Sequence, residues 1–481
     1  MAIRDFYSIF SASLLLLIIF AGCVSNPPAP STLGEYRRAF TNHGNAPKLL
    51  AGDVLTLDNA IKTALVNNPT NRAAFQSVCA AKYAYYQALS AYLPEVNATY
   101  SLGHTLSRGW DLKNPPEGML KKNDHFITTG AIRATFLLFD GFARELESII
   151  AYQEYGKSIE TAKNVRRLLI RAVAFAFYDM YLAEEEIKIH SEDLDFQTDA
   201  LRQEEQRFRS GHVSKASVLN FKILAARAKS NIANARYRKK VALHALTSLM
   251  GCDNRNLPGN IALEKIITTE PPYIHDDEFY LEMAINNRPD LKAERIVLDI
   301  ASRNRQKVYS EFLPQILLFS EFSLETYHAK YGNYRFSSAR GNQRGFSYGA
   351  EGRWNIFQGF NSYNKLRRQE ILERVAMWGL NSKFLEIAAE VKDACSNCKN
   401  ARFQVGVFQS MAQWVREQRD LVYSEYRNGR ETITRLNEAQ STLIEARSQL
   451  VISEIRFKKS TAQLAAATGT DTLANPAHGI R

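Results

Sequence analysis

After residue 22 this 481-residue chain has no apolar run long enough to cross a bilayer as a helix, which needs ~18 residues or more. Mean hydropathy is −0.29, which excludes a helical membrane protein. Proline is absent between Pro116 and Pro258, and again between Pro314 and Pro476. Those spans lack the strongest helix breaker and leave room for very long helices. Cysteine is scarce: Cys79 and Cys252 lie in helical patterns and read as structural. The one pair, "CSNC" at 395–398, sits well inside a helical stretch, whereas a redox pair belongs at a helix start near a βαβ pattern. No second pair completes a four-ligand zinc site, so no metal is expected. The histidines form no HExxH-like pairing, no glycine-rich phosphate loop precedes a helix, and no GxSxG occurs, so no enzyme and no cofactor are expected. The net charge of +11 is spread among Glu along the helical stretches, with no dense basic block, which argues against nucleic acid.

What is present is a duplication. "LLFDGFARELES" at 137–148 returns as "NIFQGFNSYNKL" at 355–366, so Phe139, Gly141 and Phe142 recur as Phe357, Gly359 and Phe360. "NNPT" at 67–70 returns as "NNRPD" at 286–290, and "AYLPEV" at 91–96 as "EFLPQI" at 311–316. "RFRSGHVS" returns as "EYRNGRET", with Gly211 and Gly429 lying 218 residues apart, and "LTSLMG" returns as "LAAATG" at the same offset. A solenoid, with its period of ~20–50 residues, is excluded. The chain divides into a first repeat at 53–252, a linker at 253–276, a second repeat at 277–470 and a tail at 471–481.

Each repeat holds a long helical stretch, 142–209 and 360–427, rich in Glu, Lys, Arg, Ala and Leu. A helix of ~70 residues is roughly 100 Å long at ~1.5 Å per residue and requires coiled-coil packing. Leu436, Leu443, Leu450, Phe457 and Leu464 recur every seventh residue, and Ala439, Ala446, Ser453, Ser460 and Ala467 follow each by three. This large–small heptad predicts a left-handed supercoil. The first copy keeps it only loosely, as Val218, Ala225, Ile232 and then Lys239. Gly211 and Gly429 read as the turns between each long helix and its shorter return helix.

The remaining pattern has a period of two. Phe346, Tyr348, Ala350, Gly352, Trp354 and Ile356 alternate with Ser347, Gly349, Glu351, Arg353 and Asn355. Similar alternation at Val96–Leu102, Ile132–Leu138 and Ile316–Leu324 predicts strands at about 94–106, 126–139, 314–326 and 345–357. Strands of ~10–13 residues suit a tilted membrane crossing. Four strands cannot close a membrane barrel, which starts at about eight, and lipid does not tolerate open edges. A dimer would supply about eight strands around a filled interior, and a trimer about twelve around water. Glu351 and Arg353 need a wet lumen, which favours the trimer. The expected fold is mainly α with transmembrane β. A duplicated helix–strand–strand–long helix–helix unit would assemble as a homotrimer with one shared 12-stranded barrel and one coiled-coil helical barrel.

At the N-terminus, Arg4 precedes an uncharged run from Phe6 to Gly22, the layout of a signal peptide over 1–22. "FAGC" resembles a bacterial lipobox, with Phe20 where leucine is usual. That resemblance implies acylation of Cys23 and an acylated tether over 23–52; a plain signal peptide cleaved nearby is the alternative. Val24, rather than an aspartate, by the same resemblance permits sorting to the outer membrane, among outer-membrane lipid.

The "NNP"-type helices, the Leu-Pro strand starts, the FDGF and FQGF exits, the two glycine turns and "EAQSTLIEAR" at 438–447 together resemble the TolC-like outer membrane factors, and in particular their lipoprotein branch. The resemblance covers about 53–470. It implies a passive exit duct of a tripartite efflux or type I secretion system, projecting from the outer membrane into the periplasm. Its partners would be further copies of itself, a periplasmic adaptor and an inner-membrane transporter. Gly141 and Gly359 would then mark strand–helix junctions. A non-conducting coiled-coil envelope lipoprotein is the alternative, and it has no use for four alternating strands. Matched without gaps from Gly429, the family's periplasmic gate positions fall on Tyr426, Glu431, Arg435 and Glu438, with Ser217 of the first copy facing them. Arg435 stands where an acidic residue is common and Glu431 where a base is usual; ordinary exposed residues at a turn are the alternative reading.

Overall fold

The computed structural model describes residues 54–110, 120–252, 262–264, 274–331 and 338–470. Cys23, the leader, the tether to residue 53, most of the linker and the C-terminal tail lie outside the described residues.

Each repeat opens with two short helices, α1 (Leu57–Asn67) and α2 (Pro69–Ser90) in the first, α5 (Asp277–Asn287) and α6 (Pro289–Val308) in the second. Two strands follow: β1 (Glu95–Trp110) and β2 (Leu120–Phe139), then β3 (Gln315–Tyr331) and β4 (Ser338–Arg353). Each repeat closes with a long and a shorter helix: α3 (Ala143–Arg209) and α4 (Lys215–Leu249), then α7 (Asn361–Arg427) and α8 (Ile433–Thr468). The two long helices contain 67 residues each, or roughly 100 Å.

The recurring sequence landmarks touch one another. Asn68 caps α2 by accepting from the Thr70 and Asn71 amides, and its Nδ2 donates to the Leu249 carbonyl at 2.9 Å. Arg288 occupies the equivalent place, and its Nη1 donates to the Ala467 carbonyl at 3.1 Å. Beside these bonds lie Gly251 and Gly469, where a Cβ would stand 2.5 Å from the Asn67 carbonyl oxygen and 3.0 Å from the Arg288 nitrogen. Only glycine allows that approach, so "NNP" and the return-helix glycine recur as a contacting pair.

Arg288 also organises the cluster through which Arg167 of the first repeat meets the second. It is 2 % exposed and pairs with Asp290 at 2.7 Å and with Glu390 at 2.6 Å. Arg167 of α3 lies 3.6 Å from the same Asp290 carboxylate and donates to the Ala466 carbonyl. Burial opposes charge on Asp290, but the bonds and charge of Arg288, with Arg167 and Lys383 behind it, outweigh that and hold it at about 2. The carbonyls at the end of α8 add the negative end of a helix dipole.

The heptads pack as expected on α8: Leu436, Leu443, Phe457, Leu464 and the small residues Ala439, Ala446, Ser453, Ser460 and Ala467 are all buried. In α4 the seam is more regular than the sequence suggests. Phe221, Ala228, Ala235 and Ala242 form a second buried line beside Val218, Ala225 and Ile232, and the interrupting Lys239 reaches Glu184 at 3.3 Å.

The strands differ in extent from the expectation. They contain 16, 20, 17 and 16 residues, reaching past 106, 326 and back before 126 and 345. There polar residues such as His328, Arg340 and Asn342 break the alternation, and the backbone ladder continues without an apolar face to announce it. At the other end β4 stops at Arg353 rather than 357, because its last partner is Gln315 and the preceding Pro314 has no N–H. Trp354 therefore lies beyond the strand, its indole donating to the Phe312 carbonyl at 3.1 Å.

Candidate functional site

The four strands form one antiparallel sheet in the order β1–β2–β3–β4, with a single bulge between Leu137 and Phe139. Cross-strand rows separate its two faces. Ala98, Ile132, Phe322 and Phe346 form one row, and Val96, Ala134, Ser320 and Tyr348 another on the same face. Ile132, Phe322, Phe346 and Tyr348 on this face are exposed. The opposite face carries Asn97, Arg133, Glu321 and Ser347 in one row and Ser101, Thr129, Glu325 and Gln343 in another. Arg133 and Glu321 lie 3.7 Å apart across the β2–β3 pair. A sheet with one bare apolar face and one charged face is a wall between lipid and water. Among the described residues its two edges, β1 and β4, are unpaired.

At the base of the wall the chain turns into the long helices through two successive left-handed residues, Gly141 (φ 72°) with Phe142 (φ 69°), and Gly359 (φ 60°) with Phe360 (φ 62°). A left-handed phenylalanine costs about 1–2 kcal/mol, and both copies offset it alike. The Phe142 ring meets Phe139 edge-on at 5.6 Å, and Phe360 meets Phe357 at 5.6 Å. The F-x-G-F spelling therefore codes an aromatic clamp over a backbone reversal. The sequence pointed to the glycines; the strained phenylalanines carry the other half.

The far ends of the helices form the tip. Gly211 and Gly429, just beyond α3 and α7, are left-handed (φ 73° and 70°). His212 N–H donates to the Arg207 carbonyl and Arg430 N–H to the Glu425 carbonyl, the Schellman closure. Ser214 and Thr432 then cap the return helices, accepting from the amides of Ser217 and Arg435. Ser217 is thus engaged in that cap; its hydroxyl lies 3.5 Å from Ser214 Oγ.

Tyr426 donates to Glu204 Oε2 at 3.0 Å and accepts from Arg207 Nη1 at 3.2 Å, with the guanidinium over its ring. Burial and the Glu204 bond push the Tyr426 phenol up to about 12, so it stays a donor at any physiological pH. Arg435 and Glu438 pair within the chain at 3.3 Å, both well exposed. Glu431 accepts the Thr432 amide at 3.2 Å. The tip therefore holds two separate groups, a sheltered Tyr426–Glu204–Arg207 triad and an exposed Arg435–Glu438 pair.

Glu204, only 3 % exposed, was missed in the sequence. Its counterpart 218 residues on is Val422, also buried, so comparing the copies position by position marks a carboxylate in an apolar place.

Cys395 and Cys398 are free and buried in α7, and burial pushes the Cys395 thiol up to about 11 and that of Cys398 upward too. They hold their protons and are poor nucleophiles. Among the described residues no group of His, Cys, Asp or Glu could hold a metal, and no helix is long and apolar enough to cross a membrane.

Comparison with known proteins bears on both repeats. Among curated protein sequences none matches. Solved structures do. CusC, whose structures concern folding and transmembrane channel formation, is 19 % identical with a TM-score of 0.70, covering 90 % of this chain and 96 % of its own. The Campylobacter jejuni CmeC outer membrane channel is 16 % identical with a TM-score of 0.72, covering 93 % and 90 %. The Vibrio cholerae outer membrane protein VceC is 16 % identical with a TM-score of 0.70, covering 86 % and 96 %. At these identities the likeness is one of fold. The family model for outer membrane efflux proteins matches residues 60–252 and again 280–470, once per repeat. With both repeats matched and the membrane wall, junctions and long hairpins in place, the chain belongs to the outer membrane efflux protein family.

Proposed function

We propose that three copies of this chain form the exit duct of a tripartite efflux or type I secretion system. The carrying observation is the continuity of each wall with a hairpin. β2 and β4, apolar on one face and charged on the other, run through the FxGF clamps into 67-residue helices. Two unpaired strand edges per chain have no place in lipid, and a ring of three chains leaves none. The charged row of Arg133 and Glu321 would line the water-filled interior, and the helices would carry that lumen on through the periplasm.

In this reading a periplasmic adaptor and an inner-membrane transporter meet the helical end, and the duct itself does no chemistry. The first 22 residues are a signal peptide and Cys23 carries acyl chains that hold the residues 23–52 tether in outer-membrane lipid. One chain anchors only marginally, so the barrel supplies most of the insertion. The tip acts as the gate: Tyr426 with Glu204 and Arg207 holds the two long helices together, and Arg435, Glu438 and Glu431 set the charge at the opening.

Mass measurement in detergent tests the assembly. Light scattering should return three chains per particle; a homogeneous single-chain particle would remove the basis for a shared barrel.

A further inference from the structure

The duplicated chain contains a template for the contact between its own copies. Inside one chain the repeats meet where β2 pairs with β3. There α3, which follows β2, packs on α6, which precedes β3, and further along on α8. Exchanging every element for its counterpart turns β2–β3 into β4–β1, α3–α6 into α7–α2, and α3–α8 into α7–α4. Those elements are the ones left bare: among the described residues β4 and β1 are the open edges, and along most of its length α7 packs on α5, α6 and α8, meeting α3 near the tip.

The two seams differ in chemistry. Within the chain the α3–α8 seam packs Ile455 and Ala462 among apolar residues of α3 and is flanked by ion pairs, Lys459 on Asp179 at 2.5 Å and Arg447 on Glu192 at 2.5 Å. Arg167 and Phe196 of α3, which touch α8 and α7 there, correspond to Leu385 and Trp414 of α7 at the 218-residue offset. Both are 67 % exposed. On the return helices, Ile455, buried in the core, corresponds to Tyr237, which is 70 % exposed. Ser441 corresponds to Ile223, which is 66 % exposed. Arg167 and Ile455, buried inside the chain, are thus matched on its outer flank by large bare apolar residues, and the exposed Ser441 is matched by another. On a monomer such a stripe is a liability; on a repeating copy it is the missing half of a packed seam.

We propose that copies of this chain join through an apolar seam anchored by the two tryptophans of α7. Trp414 packs against Ile223 of the next copy, and Trp378 against Phe75 of the next copy. The register comes from the internal template. Carrying the Glu192–Arg447 and Asp193–Gln440 contacts across brings Trp414 within a turn of Ile223. Carrying the approach of Ile296 to Gly156 across brings Trp378 within a turn of Phe75. Trp378 is 68 % and Phe75 63 % exposed on the single chain. Large aromatic anchors are what interfaces use at their centres. The intrachain seam thus carries flanking ion pairs where the interchain seam carries exposed aromatic anchors, which keeps one from being mistaken for the other.

This inference rests on the trimeric reading above, and the test separates the two. In the full-length chain, Ile223→Cys combined with Trp414→Cys should yield covalent trimers on mild oxidation in outer membranes. Each single variant, and the out-of-register pair Ile223→Cys with Leu385→Cys, should stay at the background of the native cysteines. As a check independent of the Trp414→Cys change, a chain keeping Trp414 with the other tryptophans replaced by Phe should be poorly quenched by acrylamide in the assembled particle. Particles of three chains in which the pair does not cross-link and Trp414 is freely quenched would overturn the seam and leave the trimer standing. The same would follow if Trp414 became shielded only on adding a separate periplasmic protein. Particles of one chain would overturn both.

Discussion

The Tyr426 hydroxyl donates to Glu204 Oε2 at 3.0 Å, tying the last turn of α7 to the last two turns of α3. It is the one described side-chain bond from this tyrosine to a buried carboxylate, and Arg207 closes the triad from the other side. Replacing Tyr426 by Phe keeps the ring and deletes the donor, leaving Glu204 sheltered and short of a partner. The cost should be about 1–3 kcal/mol. We predict faster amide hydrogen exchange over both helix ends and more frequent opening in single-channel records. Exchange rates and openings equal to those of the wild type would remove the triad from the gate.

The exposed Arg435–Glu438 pair should matter for charge rather than for stability. Exposed pairs contribute about 0–1 kcal/mol, so Arg435→Glu should barely move the melting temperature. In a ring of copies it replaces every cation at that level by a carboxylate, and cation selectivity should rise. Reversal potentials in a salt gradient measure this. If neither Arg435→Glu nor Glu438→Lys shifts the reversal potential, the constriction lies elsewhere along the duct.

Removing Arg288 deletes the nearest cation of Asp290 and Glu390 and leaves them Arg167, Lys383 and Arg171 at 3.6–3.9 Å, so the cost should approach but not exceed that of a broken buried pair, about 3–5 kcal/mol. Arg288→Ala should therefore melt well below the wild type. The acid dependence follows from Asp290. Its folded pKa, about 2, is below the ordinary 3.8, so its contribution is complete above the ordinary value and is lost as pH falls from there toward about 2. Thermal melts of the wild type from pH 6 downward should show this loss only below about 4, and Arg288→Ala should lack most of it. A wild-type loss centred near pH 6 would point to other groups.

The two junction glycines should not be equivalent. A Cβ at Gly141 would stand 3.0 Å from Leu313 Cβ and Ser310 Cα, whereas one at Gly359 would meet nothing within 4 Å. Gly359→Ala should cost about 1–2 kcal/mol from the left-handed backbone alone, and Gly141→Ala that amount plus the crowding. Denaturation in detergent that ranks the two equally would mean that the backbone and not the packing decides.

Both long helices were legible almost to the residue, since charge-rich stretches without proline and glycine turns at one offset leave little freedom. The wall was legible wherever one face was apolar, as at Ile132 or Phe346, and illegible where His328 pairs with Arg340, because backbone ladders need no hydropathy signal. At the tip Tyr426 was found through resemblance, while Glu204 was hidden: a lone glutamate in "RQEEQRFR" looks solvated until the neighbouring helix covers it. The Arg288 clasp was equally hidden, since beyond Asp290 two residues on its partners, Glu390 and the Ala467 carbonyl, lie in other helices.

The anchor is tested chemically. A clickable fatty-acid analogue fed to a bacterial host should label the wild type and not Cys23→Ser. Equal labelling of the two would remove the lipid anchor and leave the plain signal peptide, with the barrel unaffected.

Conductance tests the central claim most directly. Purified protein in a planar lipid bilayer should give discrete current steps whose size grows with salt concentration, as for a water-filled pore. Arg133→Ala and Glu321→Ala, on the charged face of the sheet, should change ion selectivity. Protein that inserts into the bilayer yet passes no current under any voltage, with Tyr426→Phe equally silent, would contradict the account of this chain as a duct.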